Sequence, residues 1–403
     1  MTMKKNILFA INTMGQAGAE KAMVELMKVL DTEQYNIDLF VMIPRGEMFL
    51  QVPPNVNIVN KTIDKGPLLG KEGQAFILKT MAKSMIYHGT VLTHLPYILK
   101  NLRSQKKNGH IQMEKLCYPI LSDGTPPLDK HYDLAIAYLE GAAAYFVADH
   151  VKADKKVAFI HIDYQMAGYT PYIDRNCYDC FHWIYTVSQE VKEKFLSVYP
   201  AHKEKTSVFH NIINEKEIHE KAKLGRGFDD DFQGMRILTV GRLHPQKAYP
   251  IAIEAMHILK QQNLPIRWYV VGEGNQRQEL QNLIHEKNLD EDFILLGAKS
   301  NPYPYYKECD LYVHASAFEG KSIAIEEAQV LGKAILASDC TGNREQIHSG
   351  VDGELVELDA DKIAYAILQL YKQPELRACY ASQSARKKFE YEHDVAHLLQ
   401  LLR

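Results

Sequence analysis

Short apolar segments alternate with helical segments twice along this chain, and this repeated alternation restricts the fold more than any other property of the sequence. Strand, helix and strand in succession are typical of a parallel sheet with helical crossovers. A polar, glycine-bearing stretch at 221–234 separates the two runs and is predicted to be a linker. Strands are expected at 5–11, 35–42, 56–59, 132–139, 156–161, 183–187 and 206–209, and again at 236–240, 267–271, 293–296, 311–314, 334–337 and 354–356.

The length of the chain also favours two domains, because 403 residues are too many for one ordinary core. We predict α/β architecture with two Rossmann-like, doubly wound domains, the first over 1–220 and the second over 221–384. An apolar content of 46% and a charged content of 24% are those of a soluble globular protein. A net charge of -3 gives no reason to expect nucleic acid as a partner. We expect a cytoplasmic protein.

The six cysteines do not form a metal-binding pattern. Cys177 and Cys180 have CxxC spacing, but no second pair follows at zinc spacing. Free thiols in a reducing compartment are therefore expected, with a zinc or redox role for the pair as the alternative.

The segment 310–332, DLYVHASAFEGKSIAIEEAQVLG, predicts a strand, a glycine-containing turn and a helix with Ser322 as N-cap. Such a turn directs backbone N–H groups and the positive end of the helix dipole at one spot, which suits an anion. Glu319 lies at the exit of the strand, and Glu327 follows about two helical turns later. The alternative is an ordinary surface helix with two glutamates.

The two glutamates, with the neighbouring text FEGKSIAIEEA and LGKAILASD, resemble the signature of the family 4 glycosyltransferases. That resemblance implies the GT-B fold, in which two Rossmann-like domains face a cleft and a final helix, here 385–403, crosses back to the first domain. It also implies that Glu319 approaches the donor sugar as a catalytic residue and that Glu327 binds the nucleotide ribose.

The loop GRLHPQK at 241–247 follows the strand predicted at 236–240 and resembles the family segment whose arginine and lysine bind the donor diphosphate. Arg242 can contact two phosphate oxygens, and Lys247 adds a point charge. A solvated pair of basic residues is the alternative. The family usually has glycine where this chain has Ala248. The resemblance also assigns the diphosphate to the turn residues Gly320, Lys321, Ser322 and Ile323.

The segment VGEG at 271–274 matches the first part of the GxGxxG dinucleotide-binding fingerprint. However, Arg277 occupies the position of the third glycine, and the segment lies in the second half of the chain. The resemblance instead places four residues beside the nucleotide ribose and base: Gly272, Glu273, Gly297 and Ala298.

In the first domain, Gly15 and Gly18 resemble the family's glycine-rich loop on the acceptor side, although a plain strand–helix turn would also explain them. His161 ends a predicted strand and resembles the family's catalytic histidine, which contacts the donor sugar; a structural histidine is the alternative. Glu140 follows another strand and is expected to line the acceptor pocket. Asn211 resembles an asparagine at the domain hinge.

The resemblance implies a retaining hexosyltransferase that takes its sugar from a nucleotide-diphospho-sugar, with UDP favoured. The expected acceptor is a glycan or lipid-linked oligosaccharide in surface polysaccharide synthesis. No Asp-x-Asp run appears that would hold a divalent metal on the diphosphate, so we expect no metal and no cofactor. Two other hypotheses remain: a UDP-sugar 2-epimerase-like enzyme on the same fold, and a non-catalytic partner that binds sugar nucleotide or polysaccharide.

The segment 61–115 differs from the rest of the chain in charge. It carries ten basic and three acidic residues, a surplus of seven, interleaved with apolar residues. This pattern favours docking on an anionic membrane surface at the inner face. Ordinary helices with a solvated basic face are the alternative.

Overall fold

The computed structural model describes residues 4–107 and 113–402. Two compact units are present: Met1–Ile212 with Glu390–Arg403, and Ile213–Phe389. Part of the basic segment, 108–112, lies outside the described residues. Among the helices that are described, none is both long enough and apolar enough to cross a bilayer. All six cysteines are free thiols.

The first unit is built on a seven-stranded sheet in which every neighbouring pair is parallel. The strand order is β3-β2-β1-β4-β5-β6-β7, so the order reverses between β1 and β4. The central strands are apolar because helices cover both faces of such a sheet, and residues 7–11 of β1 are fully buried. The strands are β1 (Lys5–Ile11), β2 (Tyr35–Val41), β3 (Asn57–Ile58), β4 (His131–Ala137), β5 (Lys152–Ile160), β6 (Trp183–Thr186) and β7 (Thr206–Val208).

Four consecutive helices separate β3 from β4 and form most of the basic segment. The helices of this unit, apart from the last in the chain, are α1 (Gly18–Val29), α2 (Lys71–Ile86), α3 (Thr90–Thr93), α4 (Leu95–Lys107), α5 (Met113–Asp123), α6 (Ala142–His150) and α7 (Gln189–Val198).

The second unit contains a six-stranded parallel sheet in the order β10-β9-β8-β11-β12-β13. Its order reverses between β8 and β11, which pair at Ile237 and Leu311. The strands are β8 (Met235–Val240), β9 (Ile266–Val271), β10 (Phe293–Gly297), β11 (Leu311–His314), β12 (Ile335–Ser338) and β13 (Glu354–Val356). The helices are α8 (Glu215–Lys221), α9 (Tyr249–Lys260), α10 (Arg277–Glu286), α11 (Tyr303–Glu308), α12 (Ile323–Val330), α13 (Asn343–Gln346), α14 (Ala360–Lys372) and α15 (Pro374–Ser384).

The division between the units falls at Ile213 rather than at 221, the start of the predicted second domain. Helix α8 belongs to the second unit, where Asn301 donates a hydrogen bond to the Lys221 carbonyl at 2.8 Å. Residues 385–389 also stay with the second unit, because Lys387 pairs with Asp352 at 2.8 Å.

The last helix, α16 (Glu392–Gln400), packs on the first unit, as the fold prediction required. The Tyr185 hydroxyl lies 2.6 Å from Nδ1 of His397, and the ring of Trp183 makes an edge contact with the same imidazole. The backbone N–H of His210 donates to Asp394 at 2.9 Å. Both β6 and the segment after β7 therefore hold this helix.

Candidate functional site

The candidate donor site lies where the strand order of the second sheet reverses. The carboxyl ends of strands on either side of such a point border a crevice. One loop, 241–247, follows β8, and the other, 315–322, follows β11. They are joined by hydrogen bonds from the Ala317 N–H to the Gln246 carbonyl at 2.8 Å and from the Gln246 side chain to the Phe318 carbonyl at 2.9 Å. Sheet topology thus brings together two segments that are distant in sequence.

Lys247 and Glu319 form an ion pair between these loops. Nζ of Lys247 lies 2.5 Å from Oε1 of Glu319, and the two side chains are 15% and 9% exposed. The same oxygen accepts from Ser316 Oγ at 2.6 Å and from His314 Nε2 at 3.0 Å. In the part of the chain that the structure describes, Oε2 meets only the Gln246 amide, at 3.4 Å. One carboxylate oxygen is therefore saturated and the other is available.

The charge states in this cluster follow from its burial. Burial opposes ionisation of Glu319, but the charge of Lys247 and the hydrogen bond from His314 hold the pKa of Glu319 below its usual value. Burial and the charge of Lys247 also lower the pKa of His314, so its ring is neutral at pH 7. Nε2 of His314 lies 3.0 Å from the Glu319 carboxylate, which can only accept, and 3.2 Å from the Lys247 ammonium, which can only donate. With the ring proton on Nε2, toward the shorter contact, Nδ1 accepts from the Tyr312 hydroxyl at 3.0 Å.

Arg242 differs from Lys247 in being solvent-accessible. Its guanidinium is exposed and makes no hydrogen bond or ion pair with any described residue. The loop then turns at Ala248, which has φ +44° and ψ 36°, a left-handed conformation. Glycine adopts this conformation without the strain that a Cβ introduces. The 241–247 loop is thus followed by a left-handed residue, as it would be with glycine at position 248, but the alanine Cβ adds backbone strain.

The turn before α12 is held by contacts that differ from the predicted helix cap. Ser322 is the N-cap residue of α12, as predicted, but its side chain makes no capping hydrogen bond. Its Oγ lies 3.3 Å from His314 Nε2, and its N–H donates to the Gln346 side chain at 2.8 Å. Lys321 pairs with Glu326 at 3.4 Å. The Ser322 hydroxyl therefore contacts the buried polar cluster around His314 and does not cap the helix.

Two further turn residues, Gly320 and Ile323, complete this segment. A Cβ on Gly342 would lie 2.4 Å from the Gly320 carbonyl oxygen, so the turn packs closely against the loop after β12. Ile323 is buried and begins α12. The first N–H groups of a helix have no partner within the helix. The turn is therefore fixed in place, with a helix start next to it.

Glu327 lies in a separate cluster on α12. Its carboxylate is buried and accepts from the hydroxyls of Tyr303 at 3.1 Å and Tyr306 at 3.2 Å. Both tyrosines come from α11, and the sequence prediction did not include them. The motif YPYY at 303–306 was the available signal, but its partner on α12 is more than fifteen positions away. The two glutamates of the sequence signature thus have different neighbours.

The loops after β9 and β10 pack on the loop after β8. A Cβ on Gly272 would lie 1.9 Å from the Gly241 carbonyl oxygen, so only glycine fits there. The Gly272 N–H donates to the Gly297 carbonyl at 3.0 Å. Glu273 pairs with Arg277 at 2.7 Å, and Ala298 is exposed. The second-unit residues in this group lie at the carboxyl edge of one sheet.

In the first unit, the side chain of Asn12 joins the ends of β1 and β4, where the strand order reverses. It donates to the Glu140 carbonyl at 2.9 Å and accepts from the Ala143 N–H at 2.8 Å. The Glu140 carboxylate accepts from the His161 N–H at 3.0 Å, and burial raises the pKa of Glu140. The structure thus brings Glu140 and His161 together, and it adds Asn12, which the sequence prediction missed.

The His161 ring is neutral and has one unused nitrogen. Burial lowers the pKa of His161 to about 3, although a hydrogen bond to the Tyr138 backbone acts in the opposite direction. The ring packs beside Tyr138, with centroids 5.1 Å apart. Its Nε2 is buried and has no hydrogen-bond partner among the residues that are described. A buried unpaired nitrogen costs free energy, and a ligand hydroxyl would remove that cost.

The predicted glycine loop begins after β1. Gly15 is buried, and a Cβ there would lie 2.9 Å from Cδ2 of Leu68. The loop is also attached to the chain after β2, because the Met14 N–H donates to the Arg45 carbonyl at 3.0 Å. Gly18 is the first residue of α1. The loop therefore has a fixed conformation and a helix start beside it.

Acidic residues with Asp-x-Asp spacing occur at 229–231, 290–292 and 359–361. Asp230 is paired with Arg236 at 2.7 Å. Asp359 accepts from a backbone N–H as the N-cap of α14. These two aspartates therefore have structural partners in the described part of the chain.

Three side chains of the first unit, those of Asp123, Asp149 and His150, lie close enough together to hold a metal ion. Arg175 already bridges the two carboxylates, at 2.7 Å from Asp123 and 2.8 Å from Asp149. The guanidinium supplies the positive charge that an ion would supply, so the cluster is explained as an ion-pair network.

Comparison with known proteins gives a family match within the second unit. Residues 233–388 match the family model described as "Glycosyl transferases group 1". The matched range includes Lys247, Glu319 and Glu327. The resemblance predicted from the sequence is confirmed.

Two of the curated relatives of this chain are bacterial glycosyltransferases. The N-acetylgalactosamine-N,N'-diacetylbacillosaminyl-diphospho-undecaprenol 4-alpha-N-acetylgalactosaminyltransferase of Campylobacter jejuni is 32% identical over 182 residues, 45% of this chain and 48% of that protein. The amylovoran biosynthesis glycosyltransferase AmsK of Erwinia amylovora is 32% identical over 169 residues, 40% of this chain and 41% of that protein. The chain thus matches under half the length of each of these relatives.

Solved structures resemble all or about two thirds of the chain. HepE of Anabaena in complex with UDP-glucose superimposes with a TM-score of 0.68 and 19% identity over 98% of this chain and 99% of that one. TarM of Staphylococcus aureus gives a TM-score of 0.55 and 19% identity over 67% of this chain and 54% of its own. At such identities the likeness establishes the fold alone, and the predicted GT-B class is confirmed.

Proposed function

We propose that this chain is a retaining glycosyltransferase that transfers a sugar from a UDP-sugar to a hydroxyl of a glycan or lipid-linked oligosaccharide in surface polysaccharide synthesis. The observation that carries the proposal is the Lys247–Glu319 pair at the reversal point of the second sheet, inside the region that matches the glycosyltransferase family. Two findings support the choice of substrates. A curated relative is named for a diphospho-undecaprenol acceptor, and HepE was solved with UDP-glucose.

The donor diphosphate is assigned to Arg242, Lys247 and the turn at 320–323. When the sugar leaves, the diphosphate gains negative charge, and fixed cations and N–H dipoles stabilise that charge. Arg242 has an exposed guanidinium that can contact two phosphate oxygens. Lys247 shares its charge with Glu319 and is held at the base of the same loop. These cations would do the work of a metal ion, so the reaction would need none.

Glu319 is assigned to the donor sugar. Its Oε1 is fixed by three donors, whereas Oε2 has one long contact and can accept from a sugar hydroxyl. His314, buried and neutral, orients the carboxylate and is a positioning residue. These contacts hold Oε2 of Glu319 in position before the substrate arrives, which lowers the free-energy cost of reorganisation in the transition state.

The remaining assignments follow the family resemblance and the local geometry. Glu327, with Gly272, Glu273, Gly297 and Ala298, is assigned to the nucleotide ribose and base. His161 is assigned to the donor sugar because its unpaired Nε2 can accept from a hydroxyl. On the acceptor side, the assignment covers Gly15, Gly18 and Glu140.

The proposed mechanism uses no enzymatic nucleophile. The acceptor hydroxyl attacks the anomeric carbon on the face from which the diphosphate leaves, and a leaving phosphate oxygen takes its proton. The bond to the UDP oxygen breaks, and the new glycosidic bond retains the anomeric configuration. The UDP-sugar and the lipid-linked precursor would meet at the cytoplasmic face of the membrane.

The test is a transfer assay with the full chain, a panel of UDP-sugars and an undecaprenyl-diphosphate-linked oligosaccharide. We expect acceptor-dependent UDP release, a product with retained anomeric configuration by NMR, and equal rates with and without EDTA. Glu319→Gln serves as the inactive control. Epimerised sugar without transfer would favour the epimerase-like enzyme, and UDP-sugar binding without turnover on any acceptor would favour the non-catalytic partner.

A further inference from the structure

Helices α2 to α4 expose an unusual number of large apolar side chains. Seven of the fourteen exposed large hydrophobic residues found in the described ranges lie between residues 69 and 99. Leu78, Ile86 and Leu92 are 68%, 80% and 73% exposed. Scattered exposed apolar residues need no explanation, but such a concentration is typical of an interaction surface. Leu69, Val91, Leu95 and Leu99 complete the set.

Helix α2 is apolar on two opposite faces. Its inner face packs against the core of the first unit through Phe76, Ile77 and Met81. Its outer face carries Leu78 and Ile86, with alanines 75 and 82 at the spacing of three and four residues that defines one helix face. A surface helix of a soluble protein normally presents polar residues on its outer face. The outer face of α2 therefore has the composition of a buried surface.

The charges around these residues are almost all positive. Lys71, Lys79 and Lys83 lie on α2 and are exposed, and Lys100 lies on α4 with its ammonium 4.1 Å from the ring of Tyr172. Between residues 69 and 100, the one acidic residue is Glu72. Lysine stems can lie along an apolar surface while the ammonium groups reach an anionic layer above it.

We propose that the outer faces of α2, α3 and α4 bind the surface of an anionic lipid bilayer. Leucine and isoleucine side chains would enter the boundary between headgroups and acyl chains, and the lysines would contact lipid phosphates. A second copy of this chain fits less well, because a two-fold interface would place lysines opposite lysines. The proposal does not rest on the transferase activity, since lipid binding can be measured without any sugar substrate.

The test is co-sedimentation of the full chain with vesicles of phosphatidylcholine alone and with vesicles of equimolar phosphatidylcholine and phosphatidylglycerol. We expect binding to the anionic vesicles, and weaker binding when the Debye length falls from about 10 Å at 0.1 M salt to about 3 Å at 1 M. Since each lysine near an anionic surface raises partitioning roughly fivefold, changing Lys71, Lys79, Lys83 and Lys100 to Gln should lower it by about tenfold or more.

Matched variants distinguish vesicle binding through this surface from a general effect of exposed lysines or apolar residues elsewhere on the protein. The charge control replaces four exposed lysines of the second unit with Gln: Lys216, Lys223, Lys362 and Lys372. The apolar variants are Leu78→Ser with Ile86→Ser, and Leu95→Ser with Leu99→Ser. Their control is Leu224→Ser with Val351→Ser, which changes two exposed residues of the second unit.

We expect both controls to bind vesicles as the unmodified chain does, and at least one apolar pair to lose binding. Three results would overturn the proposal: equal binding to both vesicle types, loss of binding in the charge control, or unchanged binding in both apolar pairs. A dimer in light scattering that Leu78→Ser with Ile86→Ser dissociates would identify the surface as a self-association interface instead.

Discussion

Replacing Lys247 with Met removes the cation from a buried pair and leaves the Glu319 carboxylate without its counter-charge. Breaking a buried pair by removing one partner costs about 3–5 kcal/mol. Glu319 keeps its hydrogen bonds from Ser316 and His314, so we expect the lower end of that range, about 3 kcal/mol at pH 7. Adding Glu319→Gln should recover most of the loss, because the uncompensated charge is then gone.

The assay uses the two tryptophans of the chain, one in each unit. In a Trp183→Phe background, the fluorescence of the fully buried Trp268 reports urea unfolding of the second unit alone. This choice matters because a two-unit chain need not unfold in a single transition. Lys287→Met is the matched control, since Lys287 pairs with Glu254 near the surface and such a pair contributes about 0–1 kcal/mol.

The pH dependence has a definite sign. The folded-state pKa of Glu319 is lowered, so its contribution to stability is present above the unfolded pKa of about 4.3 and is lost as the pH falls toward the folded value. Without Lys247, burial raises the pKa of Glu319. Lowering the pH then protonates this carboxyl group and removes the uncompensated buried charge that destabilises the variant. The stability difference between the two proteins should therefore shrink from pH 7 to pH 4. A difference that is independent of pH, or no larger than that of Lys287→Met, would refute the reasoning.

Three further outcomes are expected. Arg242→Ala should weaken UDP binding by about 1.5–3 kcal/mol in calorimetry, because its guanidinium would make charge-assisted hydrogen bonds to the diphosphate; unchanged affinity would remove Arg242 from the site. Glu327→Ala should weaken UDP binding, whereas Glu319→Ala should lower kcat more than UDP affinity, and the reverse order would exchange their roles. Ala248→Gly should stabilise the second unit by up to about 1 kcal/mol in the Trp268 assay, because relief of the left-handed strain exceeds the added entropy of the unfolded chain; clear destabilisation would contradict this explanation.

The strands and their grouping into two sheets could be predicted from the sequence because parallel strands are continuous apolar runs between turns. All thirteen expected strands are present, with ends that differ by a few residues. Lys247 and Glu319 were each predicted from local motifs. Their contact could not be read from spacing, because it depends on β8 and β11 being neighbours in the sheet.

The omissions also have physical causes. Ser322 is the predicted N-cap residue, but the place of its hydroxyl beside His314 could not be read from the helix alone, because His314 belongs to the preceding strand. Asn12 was missed because its partners follow β4, far away in sequence. The tyrosines around Glu327 were missed for the same reason.

The place of α16 has a consequence for how the protein is made. The first unit needs Asp394 and His397 against β6 and the segment after β7, yet the whole second unit is translated before them. At about 5–20 residues per second, that interval lasts on the order of ten seconds or more. During this time the nascent first unit leaves the rings of Trp183 and Tyr185 without their imidazole partner, while the second unit is already emerging. The unit that begins first is therefore completed only after the second, and the surface of β6 that binds α16 stays uncovered until then.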